Sequence, residues 1–225
     1  MSNALNPRIL FQLDKVFLGE QFAVHDVFEL LGKPLTAFIE RLLREHGVTD
    51  QPLVKGRVHP QAILEGAVYV AEGAEVGPFA YIQGPTFIGP GAEVRHGAFI
   101  RGSAFIGAKS VVGHTTEVKG SIFLDEAKAG HFAYVGDSIL GHDVNLGAGT
   151  KLANLKLRGN EVSVLHPETD AKVPSGLRKL GSLIGDKAQT GCNAVLSPGT
   201  ILMPSTGVLP CVHYLGTLKR GFAKG

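Results

Sequence analysis

The chain has 225 residues, with 22 Lys and Arg against 20 Asp and Glu, 30 glycines, two cysteines and no tryptophan. The formal charge of +2 gives no electrostatic reason to expect nucleic-acid or membrane binding, and two cysteines are too few for a disulfide framework. No apolar run approaches the roughly 18 residues of a membrane-spanning helix and no signal peptide opens the chain, so we expect a cytoplasmic protein.

Residues 1–50 predict a small helical lobe. Asp26 and Glu29 have the spacing of a capping box, and Gly32-Lys33-Pro34 breaks the helix that follows them. A second helix is predicted over 35–45, because its apolar residues recur at the three- and four-residue spacing of one helical stripe. We expect this stripe to pack on the end of the adjoining β structure and cover its unpaired edge, the alternative being a partner-binding role.

An aliphatic side chain then recurs at every sixth position of the sequence. The eleven positions are Leu64, Val70, Val76, Ile82, Ile88, Val94, Ile100, Ile106, Val112, Val118 and Leu124. Helices repeat every 3.6 residues and strands every two, so neither produces this period. A period of six is typical of a parallel β-helix, in which three hexads form one triangular coil. After a linker over 49–60, the β-helix domain is predicted to span 51–212.

The period slips after Leu124. Gly130 and Gly136 stand where the next two aliphatic residues are expected, and the aliphatics resume at Leu140. Breaks in so regular a pattern tend to occur at functional sites. We therefore interpret the stretch around these glycines as a candidate site.

A longer interruption follows at about 157–181, where the period is lost. Two short β-prone segments, 161–164 and 171–173, predict an inserted hairpin or lobe. The period returns at Ile184, and residues 213–225 are predicted to form a basic C-terminal tail.

The period also predicts which residues stack. Gln83, Arg101 and Lys119 are each 18 positions apart, so they should form one outward column with a spacing of about 4.8 Å. Two stacked cations repel each other, and a phosphate dianion between them would compensate, because it suits both the Arg fork and the Lys point charge. The alternative is that both are solvated surface charges.

His131 is the candidate catalytic residue, since a neutral imidazole can take a proton from an ammonium group near pH 7. Tyr134 follows three positions later. Asp137 could orient the imidazole or satisfy backbone N–H groups at the interrupted coil. The glycine-rich stretch 145–150 would let a ligand approach the backbone closely.

These motifs carry a family resemblance. The stretch Lys128-Ala129-Gly130-His131-Phe132-Ala133-Tyr134-Val135-Gly136-Asp137, followed by Val144-Asn145-Leu146-Gly147-Ala148-Gly149-Thr150, closely resembles the acetyltransferase domain of bifunctional N-acetylglucosamine-1-phosphate uridyltransferases. The later stretches 176–186 and 190–193 are similar to archaeal-type sugar-phosphate acetyltransferases, which also carry the inserted segment.

The resemblance implies an all-β fold, a left-handed parallel β-helix, assembled as a homotrimer with sites between subunits. It implies acetyl transfer from acetyl-CoA, without a metal, to the amine of a hexosamine 1-phosphate, chiefly glucosamine 1-phosphate. It assigns His131 as general base and places Ala148, Asn154 and Cys192 near acetyl-CoA. The residues that it assigns to the sugar phosphate are Arg101, Lys119, Tyr134 and Asn145.

The chain departs from the family pattern at Leu155, where the family has tyrosine, and at Asn160, where it has lysine. Residues 1–50 are too short for the nucleotidyltransferase half and hold no glycine-rich nucleotide loop, so we expect no uridylyl transfer.

Two other classes of function compete with this hypothesis. A metal-dependent hydratase of the γ-carbonic anhydrase type uses the same fold, and His96 and His114 should stack, but the close His-x4-His pair of that family is absent. A non-catalytic β-helix trimer that serves as a binding scaffold is the third alternative.

Overall fold

Each coil of the chain adds one short strand to each of three parallel sheets. The computed structural model describes residues 4–224. The first sheet contains β1 (Leu53–Val54), β4 (Val68–Val70), β7 (Thr86–Ile88), β10 (Ala104–Ile106), β13 (Ile122–Phe123), β16 (Ile139–Leu140), β21 (Ser182–Ile184), β24 (Thr200–Leu202) and β27 (Thr217–Leu218). The second contains β2 (Arg57–Val58), β5 (Glu75–Val76), β8 (Glu93–Val94), β11 (Val111–His114), β14 (Lys128–His131), β17 (Asn145–Leu146), β22 (Gln189–Thr190), β25 (Gly207–Val208) and β28 (Phe222–Ala223). The third contains β3 (Ile63–Glu65), β6 (Tyr81–Gln83), β9 (Phe99–Arg101), β12 (Glu117–Lys119), β15 (Tyr134–Gly136), β18 (Lys151–Leu152), β23 (Val195–Leu196) and β26 (His213–Tyr214).

The hexad aliphatics form the interior of this stack. From Val70 to Val118 each is buried in one continuous core with the small residues two positions earlier, and Leu64 packs against it. Gln83 pairs directly with Arg101, as a coil of 18 residues requires. These findings confirm the predicted fold class, an all-β, left-handed parallel β-helix with a small N-terminal helical lobe.

Two consecutive coils in the middle of the stack are one residue shorter than the 18-residue coils before them. Ile106 pairs with Phe123, 17 residues on, so Phe123 fills the interior position that we predicted for Leu124. The next two interior positions belong to Ala129 and Val135, not to Gly130 and Gly136. The slip therefore occurs at the corner before β13, earlier than the sequence pattern indicated.

The N-terminal lobe packs on the outer side of the first sheet, and the prediction that it covers the end of the β structure is wrong. Its α-helix, α1 (Lys33–Glu45), contacts β7 and β10. Phe22 lies edge-on to Phe105 of the sheet, with ring centroids 5.1 Å apart. The lobe also contains four 3-10 helices, Pro7–Ile9, Leu13–Lys15, Gly19–Phe22 and Val27–Leu30.

Asp26 accepts a hydrogen bond from Phe28 N and thus caps the 3-10 helix Val27–Leu30. The second predicted helix corresponds to α1. Two carboxylates of the β-helix bind backbone N–H groups of the lobe: Asp125 accepts from Phe17 (2.7 Å) and Asp186 from Gln12 (2.8 Å). The lobe is therefore joined to the coils by directed hydrogen bonds as well as apolar contacts.

The inserted segment contains the antiparallel hairpin of β19 (Ser163–Leu165) and β20 (Lys172–Pro174), as predicted. Its apolar side chains Val164 and Val173 join the cluster between the lobe and the first sheet. The predicted linker already carries β1 and β2, and the predicted basic tail carries β26, β27 and β28. The division into three domains stays a prediction.

Candidate functional site

His131 ends β14 and lies exposed beside two other histidines. It pairs with His114 in the neighbouring coil, and their ring centroids are 5.1 Å apart at an interplanar angle of 68°. His96 and His114 stack in parallel at 5.2 Å, as the sequence predicts. Among the described residues, no hydrogen-bond acceptor or donor engages the His131 ring, so both ring nitrogens are open to a ligand.

A cavity of about 230 Å³ opens beside this ring. His131, Asn145 and Ala148 line it together with the glycines Gly130 and Gly147. The cavity therefore brings together three of the predicted site residues from two successive coils, His131 from one and both Asn145 and Ala148 from the next.

Ala148 contributes backbone rather than side-chain chemistry. Its carbonyl accepts a hydrogen bond from Asn193 N at 2.7 Å, while its own N–H donates to no backbone acceptor in the described part of the chain. Cys192 follows in the same column one coil beyond Ala148, at roughly 10 Å from the His131 level by strand spacing. Its thiol is exposed and free.

The predicted phosphate-binding cations lie on the third sheet, and each already has a carboxylate partner. Arg101 Nη1 donates to Glu117 Oε1 at 2.7 Å, and Lys119 Nζ lies 3.0 Å from Asp137 Oδ1. The hydrogen bond that Arg101 donates to Glu117 raises the pKa of this arginine above its ordinary value. The repulsion between stacked cations is thus compensated within the chain, which removes the electrostatic need for a bound dianion.

Asp137 holds this group together. Its side chain is almost buried, at 6% exposure, and accepts hydrogen bonds from Lys119 in the preceding coil and from Asn154 in the following one. Its positive φ of 44° puts it in the left-handed region that Gly120 occupies one coil earlier. Within residues 4–224 the Asp137 carboxylate accepts from these two side chains and from no imidazole or backbone N–H, so the prediction that it orients His131, or satisfies backbone N–H groups, is wrong.

Gly136 allows the remaining two side chains to converge on the same point. A Cβ at Gly136 would lie 2.7 Å from both Tyr134 Oη and Asn154 Nδ2. Burial, with the negative charges of Glu117 and Asp137, raises the pKa of the Tyr134 hydroxyl, which therefore stays protonated at neutral pH. We call Arg101, Glu117, Lys119, Tyr134, Asp137 and Asn154 the Asp137 cluster.

The predicted site residues thus fall into two groups within one chain. His131, Asn145 and Ala148 line the cavity on the second sheet, whereas Arg101, Lys119, Tyr134 and Asn154 belong to the Asp137 cluster on the third. The corner Phe132–Ala133 separates them. Phe132 at this corner is half exposed.

Arg95 is a site residue that the sequence analysis missed. It lines the cavity with His131 although it lies two coils earlier, and it also lines a second, larger cavity of about 580 Å³ on the same sheet. The position that follows the interior aliphatic of the second sheet is glycine in the nearby coils, at Gly77, Gly113, Gly130 and Gly147. An arginine within this column of glycines was the signal available in the sequence.

Within residues 4–224 there is no group of three or more His, Cys, Asp or Glu side chains placed to hold a metal ion. His142 is engaged elsewhere, since its Nδ1 lies 3.0 Å from the carbonyl oxygen of Asp125. No helix in this described range is long and apolar enough to cross a membrane.

Known proteins share this sequence pattern. A family model described as the GMPPB C-terminal domain matches residues 82–169. The bifunctional protein GlmU of Methanococcus aeolicus is 37% identical over 146 residues, which are 65% of this chain and 35% of that protein. The bifunctional sugar-1-phosphate nucleotidylyltransferase/acetyltransferase of Sulfurisphaera tokodaii is 43% identical over 76 residues, 34% of this chain and 18% of the relative.

Among solved structures, LpxA from Acinetobacter baumannii aligns with a TM-score of 0.38 and 14% identity, over 72% of this chain and 67% of that chain. This similarity is too low to support a statement about function. The chain spans about a third or less of the length of the two curated relatives. The matches confirm the resemblance that the motifs indicate: the chain is similar in sequence to part of the bifunctional sugar-1-phosphate nucleotidylyltransferase/acetyltransferases.

Proposed function

We propose that the chain transfers an acetyl group from acetyl-CoA to the amine of a hexosamine 1-phosphate, with glucosamine 1-phosphate the first substrate to test. The observation that carries the proposal is the cavity in which an unengaged imidazole, His131, stands beside Asn145 and the backbone of Ala148. The relatives named as acetyltransferases support the same reaction class.

In the proposed reaction His131 is the general base. A neutral imidazole takes a proton from the substrate ammonium group, and the free amine attacks the thioester carbonyl of acetyl-CoA. The tetrahedral oxyanion then collapses with loss of the CoA thiolate, the nitrogen gives up its second proton to solvent, and the thiolate takes up the proton held by the His131 imidazolium. The free N–H of Ala148 is suited to donate to this oxyanion, since such preorganised donors are worth several kcal/mol in acyl transfer.

The Asp137 cluster is the proposed binding site of the sugar phosphate. Arg101 and Lys119 would contact the phosphate, and the hydroxyl of Tyr134 would contact the sugar, with Asn145 beside it. Arg101 retains unused N–H donors beside its bond to Glu117, and its side chain is 43% exposed, so a phosphate can approach it.

The separation of the two groups by a corner supports a trimeric assembly in which the second sheet of one chain faces the third sheet of another. A homotrimer would then combine the base of one subunit with the cations of its neighbour. Ala148, Asn154 and Cys192 are proposed to lie along acetyl-CoA, and the proposed reaction uses no metal.

The proposal is tested by measuring thiol release from acetyl-CoA with a panel of acceptors. The panel contains glucosamine 1-phosphate, galactosamine 1-phosphate and a nucleotide-linked amino sugar. His131→Ala should fold and assemble as the wild type does but lose about 10²–10⁴-fold in kcat, the usual worth of a positioned base. Arg101→Ala should chiefly raise KM for the acceptor.

His25→Ala is the matched control, because His25 is an exposed histidine of the lobe, away from the cavity. It should retain full activity. Full activity in His131→Ala, or no acetyl transfer to any acceptor by the wild type, would contradict the proposed function.

A further inference from the structure

Arg95 is held by one carboxylate in a way that leaves one of its nitrogens unused. Its Nε donates to Glu93 Oε1 and its Nη2 to Glu93 Oε2, each at 3.0 Å. Nη1 donates to no acceptor among residues 4–224. The hydrogen bonds that Arg95 donates to Glu93 also raise the pKa of Arg95. Glu93 therefore fixes the orientation of the Arg95 guanidinium, and Nη1 stays available to a ligand.

This unused nitrogen points toward the open floor of the His131 cavity. A Cβ on Gly130 would lie 3.9 Å from Arg95 Nη1 and would meet no other atom within 4 Å. Gly130 does not have a positive φ, so neither its backbone nor its surroundings require glycine. Gly113, one coil earlier, is different, because a Cβ there would lie 1.8 Å from Gly130 O. The missing side chain at Gly130 thus leaves free space between the guanidinium and the cavity.

Arg95 also differs electrostatically from Lys119 of the Asp137 cluster, whereas Arg101 is in a similarly exposed ion pair. Lys119 is in contact with the nearly buried Asp137, whereas both Arg95 and Glu93 are about a third to a half exposed. The N–H groups of Nη1 can donate to a new anionic partner without breaking the bonds to Glu93, because an arginine has five N–H donors in a fixed fork.

We propose that Arg95 binds a phosphate group of one of the two substrates through Nη1, in addition to the cations of the Asp137 cluster. The inference rests on the proposed function for the identity of those substrates. The phosphate comes either from the amino-sugar phosphate, whose amine must reach His131, or from acetyl-CoA. Glu93 acts as a positioning residue that holds the guanidinium over Gly130.

The test is calorimetric binding of CoA and, separately, of glucosamine 1-phosphate to the wild type and to Arg95→Gln. The variant should bind one of these ligands roughly 10- to 100-fold more weakly, the usual range for a lost charge-assisted hydrogen bond. The ligand affected identifies the source of the phosphate. The phosphate-free counterparts, pantetheine and glucosamine, should bind the variant and the wild type alike.

Arg57→Gln is the matched control, since Arg57 also pairs with a glutamate, Glu75, on the same sheet but does not line the His131 cavity. Gly130→Ser is the second variant: it fills the floor without changing any charge and should weaken the same ligand as Arg95→Gln. Unchanged affinities in Arg95→Gln, or equal losses in Arg57→Gln, would overturn the inference.

The experiment separates this inference from the proposed function. If the wild type binds both ligands without acetyl transfer, the proposed reaction fails and the affinities still decide the role of Arg95. If it binds neither, the proposed function fails, and phosphorus NMR with inorganic phosphate decides the inference instead. The inference would then be overturned if the phosphate signal showed no line broadening with the wild type, or the same broadening with Arg95→Gln.

Discussion

Lys119 and Asp137 form an ion pair across two adjacent coils, with Nζ and Oδ1 3.0 Å apart and the carboxylate almost fully buried. The pair exists because a shortened coil puts an aspartate where neighbouring coils have glycine. Asn154 binds the other carboxylate oxygen from the next coil. Lys119, which we predicted to bind a phosphate, thus also forms an ion pair that joins two coils.

Replacing Asp137 by Asn should lower the free energy of unfolding by about 1–3 kcal/mol, because it leaves the half-buried ammonium of Lys119 without its counter-charge. Urea unfolding measures the change. Adding Lys119→Met to Asp137→Asn should recover part of the loss, since it removes the unpaired charge. Additive losses in the double variant would show that the two side chains do not interact.

Gly136→Ala should weaken binding of the amino-sugar phosphate while leaving the coils intact. The new methyl group would lie 2.7 Å from Tyr134 Oη and from Asn154 Nδ2, so both side chains must move away. We expect roughly a tenfold higher acceptor KM, as for one lost hydrogen bond, with a similar melting temperature. An unchanged KM would mean that the convergence of these two side chains is not needed for the substrate.

Asp186 should make the stability of the protein depend on pH. Burial raises the pKa of its carboxyl group above the ordinary 3.8, although hydrogen bonds from Gln12 and His142 act against this shift. Its protonated form is therefore favoured by folding. The stabilisation from the protonated Asp186 carboxyl group is complete below the pKa that this group has in the unfolded chain. It is lost as the pH rises through the higher pKa that the group has in the folded protein.

The comparison is urea unfolding of the wild type and Asp186→Asn from acid to neutral pH. The stability of the wild type relative to the variant should fall as pH rises through this window. A relative stability that increases toward neutral pH would instead show that the hydrogen bonds from the backbone outweigh burial.

Phe22→Ala should destabilise the contact between the lobe and the first sheet. The Phe22 ring is 1% exposed and meets Phe105 at 5.1 Å and Phe38 at 5.2 Å, so its removal should cost about 3–5 kcal/mol. A double-mutant cycle with Phe105→Ala isolates the direct ring contact, which should be about 0.5–1.5 kcal/mol. A coupling energy of zero would show that the loss of stability in Phe22→Ala comes from other contacts of Phe22 within the lobe.

The sequence predicts the regular part of the fold because, in a β-helix of constant coil length, the number of residues between two positions determines whether they pair in adjacent coils. The pairing of Gln83 with Arg101, the stacking of His96 on His114, α1 and the inserted hairpin are all confirmed. The shortened coil was misplaced because Ile122, Phe123 and Leu124 are all apolar. A period of six counted from Val118 reaches Leu124, whereas the interior residue, Phe123, lies five positions on, and only the pairing of strands shows this.

The position of the lobe was misjudged although a signal existed. Tyr69, Phe87 and Phe105 are outward-facing residues beside interior aliphatics, and aromatic side chains at such positions indicate a covered sheet. The partners of Arg101 and Lys119 were missed for another reason. Glu117 contacts Arg101 diagonally from the next coil, so a column of 18 residues does not include it. Asp137 lies 18 residues after Lys119, so extending the column by one more coil would have indicated this partner. The roles of the predicted site residues stay predictions.

Between β4 and β26, all length changes in this stack occur at one corner, where the third sheet leads into the first. Two coils lose a residue there, and the next accommodates the whole inserted hairpin, yet Leu140 still pairs with Ile184 and Leu152 with Leu196. Segments of very different size can thus be exchanged at this corner without disturbing the rest of the molecule. Since the Asp137 cluster borders it, such exchanges would remodel the surroundings of the cluster while the His131 cavity on the second sheet keeps its shape.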